Sequence, residues 1–293
     1  MAELFARNCS TQSEPEVEWP SERGNRILEW NGDYTHLALC DLAEGLRRWP
    51  LWGRLGWQDV VLRYRRSMLG PFWLTLSMGV MVFTLGLVYG GIFKIDTKQY
   101  LPFLTIGLLI WGFITGAISE GCQTFIEAEW LIRQVDLPLS MFPLRVVWRN
   151  LILFMHNAAI YVVVVFVFDV QVSWVLLLAI PGLVVLLANA LWCATLFGML
   201  SARFRDLPQI VSSLLQMAFF VTPIIWTSEQ AGSRRFLVEG NPFYHFIQLI
   251  REPLLGGVPD SLNWEVTLGI TFLGYLGTFF FYRRFHGRIA YWV

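Results

Sequence analysis

Long apolar stretches without a charged residue follow one another along this chain from about residue 71 onward. These stretches are Gly70 to Phe93, Leu101 to Ser119, Leu151 to Phe168, Gln171 to Ala202, Leu207 to Ser228 and Val266 to Tyr282. About 20 apolar residues cross a bilayer as a helix, and one Arg or Asp at the centre of such a helix costs roughly 2.5 to 3.5 kcal/mol. The pattern predicts an all-α integral membrane protein with six transmembrane helices, at about residues 71–93, 101–119, 150–168, 172–201, 207–228 and 265–282.

Proline positions predict where these helices are interrupted. Pro181 lies in the over-long fourth stretch and Pro223 in the fifth, and an internal proline removes a backbone hydrogen bond. The segment from Glu229 to Asn263 is too charged to span a membrane, but Asn241 can cap a helix and Pro242 suits its first position. We therefore predict short re-entrant or interfacial helices between spans five and six.

The basic residues are divided unequally between the two sides of the predicted bundle. If both termini lie on one side, 17 of the 22 Lys and Arg residues lie on that side and five on the other. Because cytosolic loops carry the excess of Lys and Arg, both termini are predicted to be cytosolic. We divide the chain into a cytosolic tail (1–45), to which the sequence assigns no role, an interface-helix region (46–70) and a transmembrane domain (71–293).

The region before the first span predicts a basic amphipathic helix. On a helix from Trp57 to Met68, Trp57, Val60, Val61, Tyr64 and Met68 share one arc, with Asp59, Arg63 and Arg66 opposite. Such a helix can lie in the cytosolic headgroup layer. Two interpretations stay open: simple positive-inside anchoring, or binding of the phosphates of an anionic lipid substrate by guanidinium groups. The candidates for the second are Arg54, Arg63, Arg65, Arg66 and Gly70.

Polar side chains inside the spans predict contacts with protein or water. His156 and Asn157 lie in the third span and Asn189 in the fourth. Polar groups at this depth rarely face lipid, and a hydrogen bond between helices is the simplest explanation.

The chain shows no signature of its own energy source or of catalysis. Its only lysines are Lys94 and Lys98, neither preceded by glycine, so the phosphate-binding G-x-x-x-x-G-K-[ST] motif is not in this sequence. Glu120 and Asp169 lie at span ends, which disfavours coupling to an ion gradient. The four cysteines have no zinc-site spacing. We predict no enzyme activity, no bound metal or cofactor, and a separate ATPase as the energy source.

Several motifs resemble those of a known family when they are taken in order. Residues 64–73 read YRRSMLGPFW and resemble the junction of interface helix and first span in type-2 ABC exporter permeases for polysaccharides. Residues 131–138, LIRQVDLP, resemble the cytosolic coupling segment, and residues 203–207, RFRDL, the loop before span five. Thr222 to Trp226 resembles the outer end of that span. The chain is most similar to O-antigen exporters, with capsule and teichoic-acid exporters as siblings.

The resemblance implies a mechanism and partners. A homodimer of this subunit would bind two ATPase subunits, which hold ATP and Mg, and would move a lipid-linked glycan across the bacterial inner membrane. Lipids would be further partners and nucleic acid would not. The resemblance places ATPase coupling at Glu127 to Pro138 and at the Arg203 to Leu207 loop, with the candidates Glu127, Glu129, Arg133, Asp136, Arg205 and Asp206. Spans one and five line the channel in relatives, and the channel-lining candidates are Tyr89, Trp111, Phe219, Phe220 and Trp226.

Two alternatives remain at this point. The same fold can export small molecules or lipids, and the sequence does not identify the cargo or the glycan. A polytopic glycosyl or phosphosugar transferase would need clustered acidic residues in a cytosolic loop. Glu127, Glu129 and Asp136 do not form such a cluster.

Overall fold

The structure, a computed structural model, describes residues 34–65, 72–170 and 173–293, and its regular elements there are all helical. In chain order the α-helices are α1 (Tyr34–Arg47), α2 (Trp49–Tyr64), α3 (Phe72–Phe93), α4 (Thr97–Glu127), α5 (Glu129–Gln134), α6 (Met141–Phe168), α7 (Ala179–Arg203), α8 (Leu207–Val221), α9 (Arg235–Glu239), α10 (Pro242–Leu254), α11 (Ser261–Phe285) and α12 (Ile289–Trp292). Short 3-10 helices cover Trp174–Leu178, Ser228–Arg234 and His286–Arg288.

Five helical segments in the described residues are long and apolar enough to cross a membrane. They are Phe72–Phe93, Thr97–Gln134, Met141–Phe168, Trp174–Arg203 and Ser261–Trp292. These segments correspond to the first four predicted spans and the sixth, with bounds that differ by a few residues. The protein is therefore a multi-pass membrane protein, as its charge-free stretches predict.

The fifth predicted span differs from its prediction because its helix is short. Helix α8 has 15 residues and ends at Val221, where Thr222 adopts an extended conformation with φ −84° and ψ 133°. A residue that precedes proline is disfavoured in the helical region, which explains why Thr222 is not helical and why the helix ends at Val221. The predicted interruption by Pro223 is confirmed. A helix of 15 residues is about 22 Å long, shorter than the roughly 30 Å of a bilayer core.

The over-long fourth stretch is divided near Pro181. A 3-10 helix covers Trp174–Leu178, and α7 begins at Ala179, so Pro181 lies in the first turn of the α-helix. The amide nitrogens of a first turn have no partner within the helix, and proline is tolerated there. The predicted interruption is therefore a change of helix type just before the proline.

Helix α4 is the centre of the bundle and packs against α3, α6, α7, α8 and α10. It approaches α7 closely at Gly121, where an added Cβ would lie 2.8 Å from the Cα of Ala194. Small residues allow such close packing of membrane helices, where dispersion contacts replace the hydrophobic effect.

Helix α10 confirms the capping pattern predicted for it. The side chain of Asn241 accepts a hydrogen bond from the amide of Phe243 at 3.0 Å, and Pro242 occupies the first position. The helix packs against α4, α7 and α11, and its residues from His245 to Arg251 are all buried. It is thus enclosed by protein, unlike a helix that lies on a surface.

Helices α1, α2, α5 and α12 gather at one end of the bundle. Helix α1 contacts α6 and α11, α2 packs along α6, and α12 contacts α5 and α7. This end therefore contains the interface-helix region, both predicted coupling segments and the last residues of the chain.

Candidate functional site

Helix α2 does not separate into the two faces that the sequence predicts, because charged and apolar residues share the side that packs on the protein. Asp59 and Arg63 contact residues of α4 and α6, whereas Trp57, Val61 and Leu62 are exposed. Of the predicted apolar arc, Val60 is buried. The orientation follows from the surface on which α2 packs, since that surface carries Glu120, Arg145 and Arg149. Arg66, Met68 and Gly70, also named from the sequence, lie outside the described residues.

An ionic network joins α2, α4 and α6. Arg149 of α6 lies at its centre, with Nη1 3.2 Å from Oδ2 of Asp59 and Nη2 2.9 Å from Oε2 of Glu120. Arg145 Nε donates to Asp59 Oδ2 at 2.8 Å, and Arg63 Nη2 donates to Glu120 Oε1 at 2.9 Å. The network therefore ties α2 to two of the long apolar helices, α4 and α6.

Three arginines and two carboxylates give this network one excess positive charge. The side chain of Arg149 is only 8% exposed, whereas that of Arg63 is 43% exposed. Burial lowers the pKa of Arg63, but pairing with Glu120 outweighs this effect, and the net pKa is raised. Arg63 is thus the accessible member of the network and stays charged.

Sequence reasoning identified Arg63 but missed the rest of this network. Glu120 is identified from the sequence only as a residue at a span end, and Arg145 and Arg149 only as positive charges in a cytosolic loop. One signal was present, because Arg145 and Arg149 are four residues apart and so share a helix face. Their partner Asp59 is about 90 residues away in the chain, and no local pattern pairs the two.

A cavity of about 220 Å³ begins at the network and extends along α6. Arg63, Tyr64, Glu120 and Asn150 line its polar end, and Asn157 lies two helical turns, about 10 Å, further along α6. Asn150 Nδ2 donates to Glu120 Oε2 at 2.7 Å, whereas Asn157 Oδ1 is buried without a hydrogen-bond partner among the described residues. Asn157 therefore faces this cavity in the protein, in agreement with its prediction.

The other two polar residues predicted inside the spans also face protein. Asn189 Nδ2 donates to Thr271 Oγ1 of α11 at 2.6 Å, which confirms a hydrogen bond between helices. The ring of His156 packs edge-on against Phe72 of α3 at a centroid distance of 5.6 Å.

A second, open cavity of about 570 Å³ lies beside α2. Trp49, Trp52, Trp57 and Trp148 line it together with the exposed Arg54. Tryptophan favours the headgroup level of a membrane, where its ring meets apolar chains and its N–H meets water. Arg54 thus lies among aromatic side chains rather than in the ionic network.

The predicted coupling residues lie at the same end of the bundle. Glu127, Arg133, Asp136, Arg205 and Asp206 are exposed, and Glu129, half-buried, pairs with Arg133 at 2.9 Å. Two of them also contact the last residues of the chain. Arg133 donates to the backbone carbonyl of Val293, and Arg205 Nη2 donates to that of Trp292 at 3.3 Å.

The predicted channel-lining aromatics divide between the core and the surface of the subunit. Trp111 is buried in α4 and packs against Phe219 of α8 at a centroid distance of 5.8 Å. Phe220 is exposed, and its carbonyl accepts a hydrogen bond from the indole of Trp226 at 3.3 Å. Tyr89 of α3 packs against Phe93 with a centroid distance of 5.6 Å.

The opposite end of the bundle contains a buried arginine that sequence reasoning missed. Arg251 of α10 is 1% exposed and forms no ion pair with a described residue. Its Nη1 donates to the carbonyl of Pro223 at 2.9 Å, and its guanidinium carbon lies 4.0 Å from the ring centroid of Phe103. It holds the extended segment that follows α8.

The described residues contain no group of three or more His, Cys, Asp or Glu side chains that could hold a metal ion. The arrangement at the α2 end is suited instead to electrostatic binding of an anionic group, because its excess charge is positive and Arg63 is accessible.

Comparison with known proteins places these features in a family context. The sequence profile of the ABC-2 type transporter family matches residues 50–255, a range that includes the ionic network and Arg251. The chain is 25% identical over 227 residues to the O-antigen export system permease protein RfbA of Klebsiella pneumoniae, with 75% of this chain and 85% of the relative aligned. It is 27% identical over 192 residues to the protein of the same name from Myxococcus xanthus, with 63% and 72% aligned.

Proposed function

Because this chain belongs to the ABC-2 type transporter family, we propose that it is the transmembrane subunit of an ATP-driven exporter of a lipid-linked, O-antigen-like polysaccharide. The observation that carries the proposal is the alignment of most of the chain with permeases named for O-antigen export. The cargo would move from the cytosolic to the outer side of the bacterial inner membrane. This chain would supply the passage, and a separate subunit would hydrolyse ATP.

The proposed assembly contains two copies of this chain and two ATPase subunits. Each copy would cross the membrane six times, with α8 and the extended segment from Thr222 to Trp226 together forming the fifth crossing. Both termini would be cytosolic. Contact with an ATPase is supported by the exposed residues of two segments, Glu127 to Pro138 and Arg203 to Leu207. Charged residues at the rim of an interface steer the two partners together and fix their alignment.

The cavity beside the ionic network is the proposed site at which the phosphate of the lipid-linked glycan enters. Its polar end has an excess positive charge, and Arg63 is accessible there. A phosphate could replace Glu120 as the partner of Arg63, because guanidinium binds carboxylate and phosphate in the same bidentate manner. Arg65, also exposed, would add charge near this site.

The orientation of α2 supports a position in the cytosolic headgroup layer. Its exposed Trp57, Val61 and Leu62 would face lipid, while its charged residues hold α4 and α6. The tryptophan-lined cavity around Arg54 would lie at headgroup level. In this arrangement α2 both anchors the subunit and presents Arg63 to the cargo.

The channel would form between two copies of this subunit. Phe220 and the exposed face of α8 support this, since they are not covered within one copy, and the half-buried Trp226 lies beside them. Aromatic ring faces can stack on sugars while few hydrogen bonds retain the polymer. Phe219 and Trp111 would support this surface from behind.

The proposal is tested by purification and reconstitution. The chain, purified from its native membrane, should carry a nucleotide-hydrolysing subunit with it, and the complex in proteoliposomes should move radiolabelled lipid-linked glycan only with ATP. Deletion of the chain should accumulate lipid-linked glycan on the cytosolic leaflet. Glycan movement without a nucleotide-hydrolysing partner would contradict the proposal.

The role of the basic helix is tested separately. Replacement of Arg63, Arg65 and Arg66 together by Gln should reduce glycan export more than membrane insertion, because binding of cargo phosphate would be lost while the apolar face remains. The Lys94→Gln, Lys98→Gln double variant, on the other side of the first span, is the matched control. Equal losses of export and insertion would support anchoring alone.

A further inference from the structure

Asp41, in the N-terminal region to which the sequence assigns no role, connects three parts of the chain. Its carboxylate accepts hydrogen bonds from the backbone amides of Leu139 at 2.8 Å and Ser140 at 2.9 Å, and from the hydroxyl of Tyr282 at 2.5 Å. Ser140 Oγ donates in turn to the carbonyl of Asp41 at 2.7 Å, and His286 Nε2 lies 3.3 Å from Oδ1. We call Asp41 and these four partners the Asp41 clasp.

The clasp caps α6 from another helix. Ser140, at the N-cap position of α6, makes no capping hydrogen bond with its own side chain. The amides at a helix start have no partner within the helix, and a carboxylate there also interacts favourably with the helix dipole. Asp41 of α1 therefore caps the turn that leads into α6, at Leu139 and Ser140, while the carbonyls of Pro138 and Leu139 bind the amides of Met141 and Phe142.

The carboxylate of Asp41 is held in its ionised form. Burial raises the pKa of Asp41, but the nearby His286 and the groups of Tyr282 and Ser140 together lower it more, so that the net pKa lies below the ordinary value of 3.8. Hydrogen bonds to an ionised acceptor are stronger than those between neutral groups. The clasp is therefore intact at neutral pH.

Helix α1 also lies directly on the turn that it caps. An added Cβ at Gly45 would lie 2.1 Å from Oγ and 3.2 Å from Cβ of Ser140, so a larger residue would fit only if the Ser140 side chain moved or were replaced. The carbonyl of Gly45 accepts a hydrogen bond from the indole of Trp52 at 3.2 Å. Below it, Ala38, Met141 and Tyr282 belong to one buried cluster.

The capped turn directly follows the predicted coupling segment, which runs from Glu127 to Pro138. In the middle of that segment, Arg133 is bound to the carbonyl of Val293, and Arg205 of the second predicted segment is bound to the carbonyl of Trp292. Ile289, between the clasp residue His286 and these carbonyls, is fully buried. Both segments are thus fastened to one unit made of α1 and the C-terminal residues.

We propose that Asp41 is a positioning residue for energy coupling, which fastens the end of the coupling segment to α1 and α11 so that its displacement moves α6. The proposal rests on the proposed function, since it requires an ATPase that pushes on this segment. A flexible turn at Pro138 to Ser140 would absorb the displacement. The clasp prevents this by holding two successive amides of the turn on a buried carboxylate.

The test compares export with hydrolysis in the complete complex. In proteoliposomes containing the chain, its ATPase partner and lipid-linked glycan, Asp41→Ala should leave ATP hydrolysis and complex assembly close to wild type. Glycan exported per ATP should fall on the order of tenfold. This is the expected fall in the ratio of closed to open clasp when about one charge-assisted hydrogen bond is lost. Asp41→Asn, which keeps one acceptor oxygen, should fall less. A residue needed only for folding would lower assembly and hydrolysis together.

Glu44→Ala is the matched control, because Glu44 lies on the same helix, is exposed and pairs only with Arg48 among the described residues. It should leave glycan exported per ATP unchanged. Unchanged export per ATP in Asp41→Ala would overturn the inference while the proposed function stands. A wild-type complex that hydrolyses ATP without exporting glycan would overturn the proposed function and the inference with it.

A covalent replacement tests the clasp even if Asp41→Ala assembles poorly. A Cβ added at position 45 would lie 3.2 Å from the Cβ of Ser140, close to the roughly 3.5 to 4.5 Å that separates these atoms in disulfides. Gly45→Cys with Ser140→Cys, added to Asp41→Ala and oxidised, should restore glycan exported per ATP, and reduction should remove it again. Formation of the crosslink, verified by mass spectrometry, without recovery of coupling would overturn the inference.

Discussion

Two buried arginines at opposite ends of the bundle are stabilised in different ways. Arg149, with 8% of its side chain exposed, lies between the carboxylates of Asp59 and Glu120, which come from two other helices. Arg251, 1% exposed, has only the carbonyl of Pro223 and the ring of Phe103, and its Nε and Nη2 have no partner among the described residues. One end of the protein thus compensates a buried charge with opposite charges, and the other with a dipole and an aromatic face.

The difference has consequences for what each end can do. Ion pairs can be exchanged for another anion, so the network at Arg149 suits a place where a charged cargo arrives. A carbonyl and a ring accept a guanidinium without offering an exchangeable anion, so Arg251 suits a permanent structural contact at the break in α8. Removal of one partner from a buried pair leaves an uncompensated charge, which is the more expensive change. Four substitutions test this contrast.

Arg149→Met should be the most destabilising of these substitutions. It leaves Asp59 and Glu120 partly buried without their shared partner, and breaking a buried ion pair lowers the free energy of unfolding by about 3 to 5 kcal/mol. Unfolding in bicelles measures the loss. Added Asp59→Asn and Glu120→Gln substitutions should recover much of it, and a triple variant as unstable as Arg149→Met would show that volume rather than charge is responsible.

Arg251→Met should destabilise the protein by less, about 1 to 3 kcal/mol, because it removes one hydrogen bond and one cation–π contact and leaves no carboxylate unpaired. The same unfolding measurement applies. A loss as large as that of Arg149→Met would mean that Arg251 has an anionic partner in the assembled protein.

Gly107→Ala should lower stability by about 1 to 2 kcal/mol through overpacking, since its Cβ would lie 2.3 Å from Nη2 of Arg251. Gly112→Ala, on the same helix with nothing within 4 Å, is the control and should be neutral or stabilising. In the Arg251→Met background the cost of Gly107→Ala should diminish. If the losses of stability from Gly107→Ala and Arg251→Met simply add in the double variant, the predicted clash between residue 107 and Arg251 would be wrong.

Arg63→Gln should have the smallest effect on stability, about 0 to 1 kcal/mol, because the Arg63 side chain is 43% exposed and an exposed ion pair is weak. Its effect on export should be larger than its effect on thermal unfolding, because the cargo phosphate would lose Arg63 as its accessible partner. A melting temperature lowered as much as by Arg149→Met would show that Arg63 is a structural member of the network.

The membrane-spanning helices could be predicted from the sequence because the constraint that creates them is local. A bilayer excludes charge along any 20 successive residues, so the windows without charge mark the spans directly. The break at Pro223 and the cap at Asn241 are also local, since each depends on the backbone of one or two residues.

The ionic network and the clasp could not be predicted, because their partners are far apart in the chain. Asp41 binds residues about 100 and 240 positions later, and no periodicity connects them. The two faces predicted for α2 follow from a period of 3.6 residues, but periodicity does not say which residues meet protein. Because α6 offers a charged surface, Asp59 and Arg63 contact the protein together with the buried Val60.

The 15 residues of α8 leave a mismatch with the bilayer. Thr222, Pro223 and Ile224 continue the chain but are buried among other helices, so they cannot extend the exposed surface of α8. In the proposed dimer this surface would face the channel, and the wall that it forms there would be about 8 Å shorter than the hydrocarbon layer around it. A polymer would therefore slide along a helical wall for only part of the thickness that it crosses.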